Sequence, residues 1–182
     1  MRYWQQMAGI GLLALGLGGC ESVQRMAQNI PGAGHIPGLS SQRPVEATVP
    51  RQVPFPADTY AALPRTGTAT IKGRLAYQLT SGQTVYGDHE KVSIAPATEY
   101  SAEAADKALA GQRVEPADPR AQAYTHVITT DANGYFTATG IPAGTFYVAG
   151  TVALPDGQGR SPFILKQVRV KDGGSVRVDL SR

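Results

Sequence analysis

From Thr66 onward, apolar and polar residues alternate with a period of two. Ile71, Gly73, Leu75, Tyr77 and Leu79 fall on one face and Lys72, Arg74 and Gln78 on the other, the pattern of a half-buried strand. Similar runs predict further strands at about 91–95, 123–130, 135–139, 145–154, 162–170 and 175–180. Turn chemistry separates them: Ser81-Gly82 after the first strand, Asn133-Gly134 where a tight hairpin needs positive φ, Pro142-Ala143-Gly144, and Asp172-Gly173-Gly174 before the last. Seven short strands with such links predict an all-β, seven-stranded antiparallel β-sandwich of Greek-key type.

One insertion interrupts the alternation. Ser101 is placed to N-cap an Ala-rich run over 102–110, with Glu103 in the first turn and Gly111 as a stop, so a short helix is expected there. Its apolar face, Ala105, Ala108 and Leu109, is thin and suits a sheet edge or end. Residues 112–122, with Pro116 and Pro119, read as an irregular return.

The pattern before Thr66 is different. Seven of the thirteen prolines lie between Glu21 and Arg65, among Gly, Gln and Ser and with no sustained apolar period. This composition reads as a tether. Extended at about 3.1 Å per residue, such a segment reaches on the order of 100 Å. Within it, 24–30 could form a helical turn or two, and Phe55 and Tyr60 could dock on the domain edge. The run from Gly32 to Gly38 is not a phosphate loop: its spacing is not GxGxxG, and Pro37 stands where a helix should open.

At the N-terminus, Arg2 precedes an uncharged stretch from Met7 to Gly19, shorter than the roughly 20 residues that span a bilayer. It closes on Leu17-Gly18-Gly19-Cys20, which resembles the lipobox of bacterial lipoproteins. The resemblance implies a signal peptide over 1–19, cleavage before Cys20, and a diacylglycerol thioether on Cys20, the chain's single thiol. Two or three acyl chains, palmitate among them, hold a protein stably at a membrane. Glu21 is not the aspartate that commonly retains lipoproteins in the inner membrane, so an outer-membrane, periplasm-facing anchor is expected. The expected organisation is therefore signal peptide 1–19, lipidated Cys20 with tether 20–65, and sandwich 66–182.

Charge changes this picture little. Seventeen Lys and Arg stand against fourteen Asp and Glu, a net charge of +3, and cleavage removes only Arg2 among the charged residues. The basic stripe of a nucleic-acid binder is missing, and no nucleic-acid partner is expected.

Two stretches carry a second resemblance. Thr130-Asp131-Ala132-Asn133-Gly134-Tyr135-Phe136, followed by Gly140-Ile141-Pro142-Ala143-Gly144-Thr145-Phe146-Tyr147-Val148, is similar to the carboxypeptidase regulatory-like domain, a transthyretin-like (prealbumin-like) seven-stranded sandwich. Thr70-Ile71-Lys72-Gly73-Arg74 and Val92-Ser93-Ile94-Ala95-Pro96 resemble that domain's first two strands, whereas the helical insertion departs from it. The resemblance implies an accessory or binding module, and a fold of this kind does not fix a function.

The candidate chemistry is sparse. Asp131, Asn133 and Gly134 read as a structural hairpin turn, with Asp131 accepting backbone N–H bonds, Phe136 entering the core and Tyr135 pointing away. A calcium loop would need a bidentate acid where Pro142 stands and helices where strands are expected. His35 lies in the tether, His89 in a loop between Asp88 and Glu90, and His126 in a strand; no pair has metal-ligand spacing, and neither metal nor cofactor is expected. There is no G-x-S-x-G elbow. The chain ends Asp179-Leu180-Ser181-Arg182, not in the Tyr-Arg-Gly-Ser of transthyretin-like hydroxyisourate hydrolases.

A non-enzymatic lipoprotein is thus expected, one that binds or helps assemble another envelope protein through its sheet edges. The alternative is a module for envelope glycan or peptidoglycan. The only tryptophan, Trp4, lies in the signal peptide, so a sugar platform would draw on Tyr77, Tyr86, Tyr100, Tyr124, Tyr135 or Tyr147. An unrecognised hydrolase is a distant third.

Overall fold

A computed structural model describes residues 48–182. The lipobox with Cys20, the 24–30 segment and His35 lie outside the described residues. In chain order the elements are β1 (Thr48–Val49), α1 (Ala57–Ala61), β2 (Ala69–Gln78), β3 (Thr84–Tyr86), β4 (Lys91–Pro96), α2 (Glu99–Leu109), β5 (Arg113–Val114), α3 (Pro119–Gln122), β6 (His126–Thr129), β7 (Tyr135–Ile141), β8 (Gly144–Gly150), β9 (Ile164–Val170) and β10 (Ser175–Ser181).

Eight of the strands form two packed sheets, and the two-residue β1 and β5 make a separate parallel pair, with Thr48 opposite Arg113 and Val49 opposite Val114. One packed sheet is ordered β6-β4-β8-β9 and is antiparallel throughout. In the other, β10 lies along one edge of β2, while β7 and then β3 pair antiparallel with successive stretches of its other edge. The all-β sandwich is therefore observed, with two differences from the expected pattern. The three-residue β3 adds an eighth strand, too short to show alternation. More consequentially, β10 runs parallel to β2, with Arg177 opposite Lys72 and Asp179 opposite Arg74. The short Asp172-Gly173-Gly174 link is the reason: it carries the chain from β9 in one sheet to β10 in the other, so it is not a hairpin and imposes no antiparallel pairing.

The core lies between the sheets. Ile71, Leu75, Val92, Ile94, Val148, Ile164 and Leu180 are buried there with Phe136 and Phe146. Burial of each large aliphatic side chain contributes about 1.5–3 kcal/mol. Gly73 occupies an inward position because there is no room for more: a Cβ would stand 2.5 Å from the Val178 carbonyl oxygen and 2.6 Å from the Phe136 ring.

A second, aromatic cluster sits at the insertion. Tyr60, Tyr100, Ala121 and Tyr124 are buried together, with Phe55 and Leu63 packed against them. The Tyr60 and Tyr124 ring centres are 5.4 Å apart at 73°, an edge-to-face contact. Residues 48–65 thus pack on the insertion, and the folded unit extends N-terminal to Thr66, where the strand pattern begins. The Glu103 carboxylate fastens this segment by accepting the Gln52 N–H at 2.5 Å and the Val53 N–H at 3.1 Å.

The helix begins earlier than its Ala-rich run. Thr98 is the N-cap, and Ser101 is the third helical residue of a reciprocal capping box, each hydroxyl accepting the other residue's backbone N–H. Ser101 also donates to the Pro96 carbonyl at 2.6 Å, tying the helix to the end of β4. Glu103 consequently lies beyond the first turn and is free to reach the N-terminal segment. The expected strand at 123–130 starts only at His126, because Asp118 caps α3 and Tyr124 turns into the aromatic cluster.

Candidate functional site

The β7 hairpin sets the geometry of one sheet face. Asp131 Oδ1 accepts the N–H groups of Asn133 and Tyr135 at 2.8 and 2.9 Å, and the Asp131 N–H donates to the Tyr135 carbonyl at 2.8 Å. Gly134 has φ +81°, and a Cβ there would stand 2.5 Å from the Leu75 carbonyl oxygen. Its own carbonyl accepts the Leu75 N–H at 2.9 Å. The turn is thereby wedged against β2 just where β7 gives way to β3, so that Tyr135 and Tyr86 both stand beside Arg74.

Arg74 lies between the two rings. Its guanidinium carbon is 3.6 Å from the Tyr86 ring centre and 4.5 Å from that of Tyr135. Its Nε donates to the Asn133 carbonyl at 2.8 Å, so the turn orients the guanidinium edge. Cation–π contacts of this kind contribute about 0.5–1 kcal/mol each at exposed sites. Tyr86 and Tyr135 remain 40% and 51% exposed, large apolar rings held on an otherwise polar face. Beside Tyr135 an open groove of about 350 Å³ runs between β6 and β7, lined by Thr129, Asp131 and Thr137 among others.

The other tyrosines are placed differently. Tyr77 packs against the main core. Tyr100 and Tyr124 are buried in the aromatic cluster, where the Tyr100 hydroxyl accepts the Asp118 N–H at 2.9 Å. Tyr147 is half-buried on the opposite sheet. Of the six tyrosines considered for a platform, the structure brings together Tyr86 and Tyr135. Arg74 escapes sequence reasoning because its partners come from two other strands, one of them the three-residue β3.

The histidines and their acids do not converge. His89 has a left-handed backbone (φ +51°), and its Nδ1 pairs with the Asp88 carboxylate in solvent. Glu90 turns away, accepting the Ala153 N–H at 2.9 Å and pairing with Arg160. His126 is half-buried on β6, opposite Ile94. Among the described residues no group of three or more His, Cys, Asp or Glu could hold a metal ion. Two carboxylates held below their ordinary range serve the fold: Glu103, chiefly through the Gln52 N–H, and Asp118, lowered to about 2 by the Arg120 guanidinium that donates to it.

Among solved structures, the chain is similar to that of a candidate carbohydrate-binding protein from Pseudomonas aeruginosa, with 34% identity and a TM-score of 0.59 over 70% of this chain and 97% of the other. It also matches a DUF3823 family protein from Parabacteroides merdae, with 14% identity and a TM-score of 0.35 over 64% of this chain and 46% of that one. The major pilin subunit of Bacillus cereus matches at 12% identity and a TM-score of 0.36, over 63% of this chain and 29% of the pilin. No protein-family model and no curated protein matches the chain.

Proposed function

The chain belongs to the family of the Pseudomonas aeruginosa protein, and on that footing we propose that it is a non-enzymatic carbohydrate-binding module held at the bacterial envelope. The observation that carries the reading is the Tyr86–Arg74–Tyr135 stack. A pyranose ring has an apolar C–H face that lies on an aromatic ring and a rim of hydroxyls that need hydrogen-bond partners. Both complements are present: two exposed tyrosine rings and a guanidinium whose terminal N–H groups have no protein acceptor among the described residues. Sandwiching and the Asn133 bond already restrict Arg74, so little side-chain entropy is lost on binding. The groove beside Tyr135 gives a chain of sugars room to continue past the platform.

The lipobox resemblance supplies the placement in this proposal. Cys20, acylated at the new N-terminus, anchors the module in the outer membrane facing the periplasm, and the part of the Pro-rich segment that precedes Thr48 spaces it from the lipid. The resemblance to carboxypeptidase regulatory-like domains, which are mostly accessory or binding modules, fits the same reading.

A second reading, an envelope protein partner, is favoured by one observation. Val127 is 59% exposed on β6, an edge strand of its sheet. An extended peptide could add to that edge.

Co-sedimentation of the detergent-solubilised lipoprotein with peptidoglycan and with isolated envelope polysaccharide tests the proposal. Retention that Tyr86→Ala/Tyr135→Ala abolishes supports it. No retention on any glycan, or equal retention of the variant, overturns it; protein capture that Val127→Lys abolishes would install the second reading instead.

A further inference from the structure

The face that carries the stack is unevenly charged. Alternation places Lys72 and Arg74 of β2, Tyr135 and Thr137 of β7, and Arg177 and Asp179 of β10 on its outer side. The parallel register sets Arg177 directly opposite Lys72, and Lys72 in turn is opposite Thr137. Neighbouring strands lie about 4.8 Å apart, so the two cationic side chains leave the sheet from adjacent positions on the same face. Like charges directly opposite each other on a sheet are destabilising. Neither Lys72 nor Arg177 has a carboxylate within ion-pair distance among the described residues. Asp179, the one acid among the outward positions of these strands, is opposite Arg74, one row away. A sheet that keeps an uncompensated cation pair on an exposed face breaks a local rule, and such departures are expected where a ligand supplies the missing partner.

We infer that the ligand of this face is an anionic saccharide, whose sugar ring lies on the Tyr86–Arg74–Tyr135 platform and whose carboxylate or phosphate group is taken by Lys72 and Arg177. The inference rests on the carbohydrate reading and narrows its substrate class. The spacing suits it: Lys72 is two residues from Arg74 on the same strand, about 6.6–6.8 Å along a β-strand, within the span of one substituted sugar or two linked ones. Binding at such an exposed pair weakens with salt, because charges at the surface are screened beyond about 8–10 Å at physiological ionic strength.

The test uses three probes on the solubilised full chain: an oligouronate, a phosphorylated oligosaccharide, and the methyl-esterified, neutral form of the oligouronate. Each is titrated by calorimetry at low and high salt. The expected result is that one or both anionic probes bind about tenfold or more tighter than the neutral one, a difference that salt erodes. Lys72→Gln/Arg177→Gln should remove that advantage while leaving the neutral probe's affinity unchanged. The better-bound anionic probe identifies the source of the charge. Equal binding of all three, or an anionic preference that survives in the double variant, overturns the inference and leaves the carbohydrate reading standing. Binding of none overturns both.

Discussion

Arg74 and Tyr135 face each other across β2 and β7, with the guanidinium carbon 4.5 Å from the ring centre. The pair exists because two separate features converge. Strand alternation turns Arg74 and Tyr135 outward while Gly73 and Phe136 pack inward. The Asp131 turn then holds Tyr135 in register through its N–H and directs the Asn133 carbonyl to Arg74 Nε.

Removing the rings should therefore separate binding from folding. Tyr86 and Tyr135 lie outside the core, and a cross-strand pair contributes about 0.2–1 kcal/mol. Tyr135→Ala is expected to lower stability by no more than about 1 kcal/mol in urea denaturation while abolishing saccharide binding. Arg74→Lys should weaken binding as well, because an ammonium cannot reproduce the planar stack.

Gly134 is the structural counterpart. Its φ of +81° disfavours any side chain, and a Cβ would sit 2.5 Å from the Leu75 carbonyl. Gly134→Ala is expected to cost about 1–3 kcal/mol or more of stability, because the turn must leave β2 to make room. Chemical denaturation measures it; a loss below about 0.5 kcal/mol would mean that the turn is not wedged.

How much of this was legible in the sequence follows from which signals are local. The alternation of Ile71, Gly73 and Leu75 against Lys72 and Arg74 is written in consecutive residues, and the opposed faces of Phe136 and Tyr135 follow from parity alone. The helix start was displaced by three residues because Thr98 and Ser101 satisfy each other's backbone groups, and either residue type is a sound cap. The parallel β10–β2 pairing and the Arg177–Lys72 neighbours depend on which sheet a short Gly-Gly link enters, which no local pattern encodes. The platform was visible only as six tyrosines. Burial of Tyr100 and Tyr124 in an aromatic cluster, and a third strand of three residues, separate the two exposed rings from the rest.

Acid should loosen the N-terminal segment first. The Gln52 N–H is the main reason the Glu103 carboxyl is held below its ordinary value, with the Val53 N–H and the charges of Arg51 and Lys107 adding to it. A carboxylate depressed in the folded state gives stability that is present above its unfolded pKa and is lost as pH falls through the folded one. Hydrogen exchange at Gln52 and Val53, corrected for intrinsic pH dependence, should accelerate as pH drops below about 4.5, with the sandwich strands still protected. Glu103→Ala should show the fast exchange at neutral pH.

The anchor is tested by fractionation. Cys20→Ser should shift the protein from the membrane pellet to the soluble periplasmic fraction and lose the mass of the acyl chains. Unchanged membrane association would remove lipidation from the proposal without touching the sandwich or its platform.

The most direct test of carbohydrate binding at the Tyr86–Arg74–Tyr135 face is an NMR titration of the isotope-labelled chain with envelope oligosaccharide. Saturable shifts centred on Arg74, Tyr86, Tyr135 and Thr137, absent in Tyr86→Ala/Tyr135→Ala, are the expected result. Saturable shifts confined to the opposite sheet or to the aromatic cluster, or no shifts with any saccharide, would contradict it.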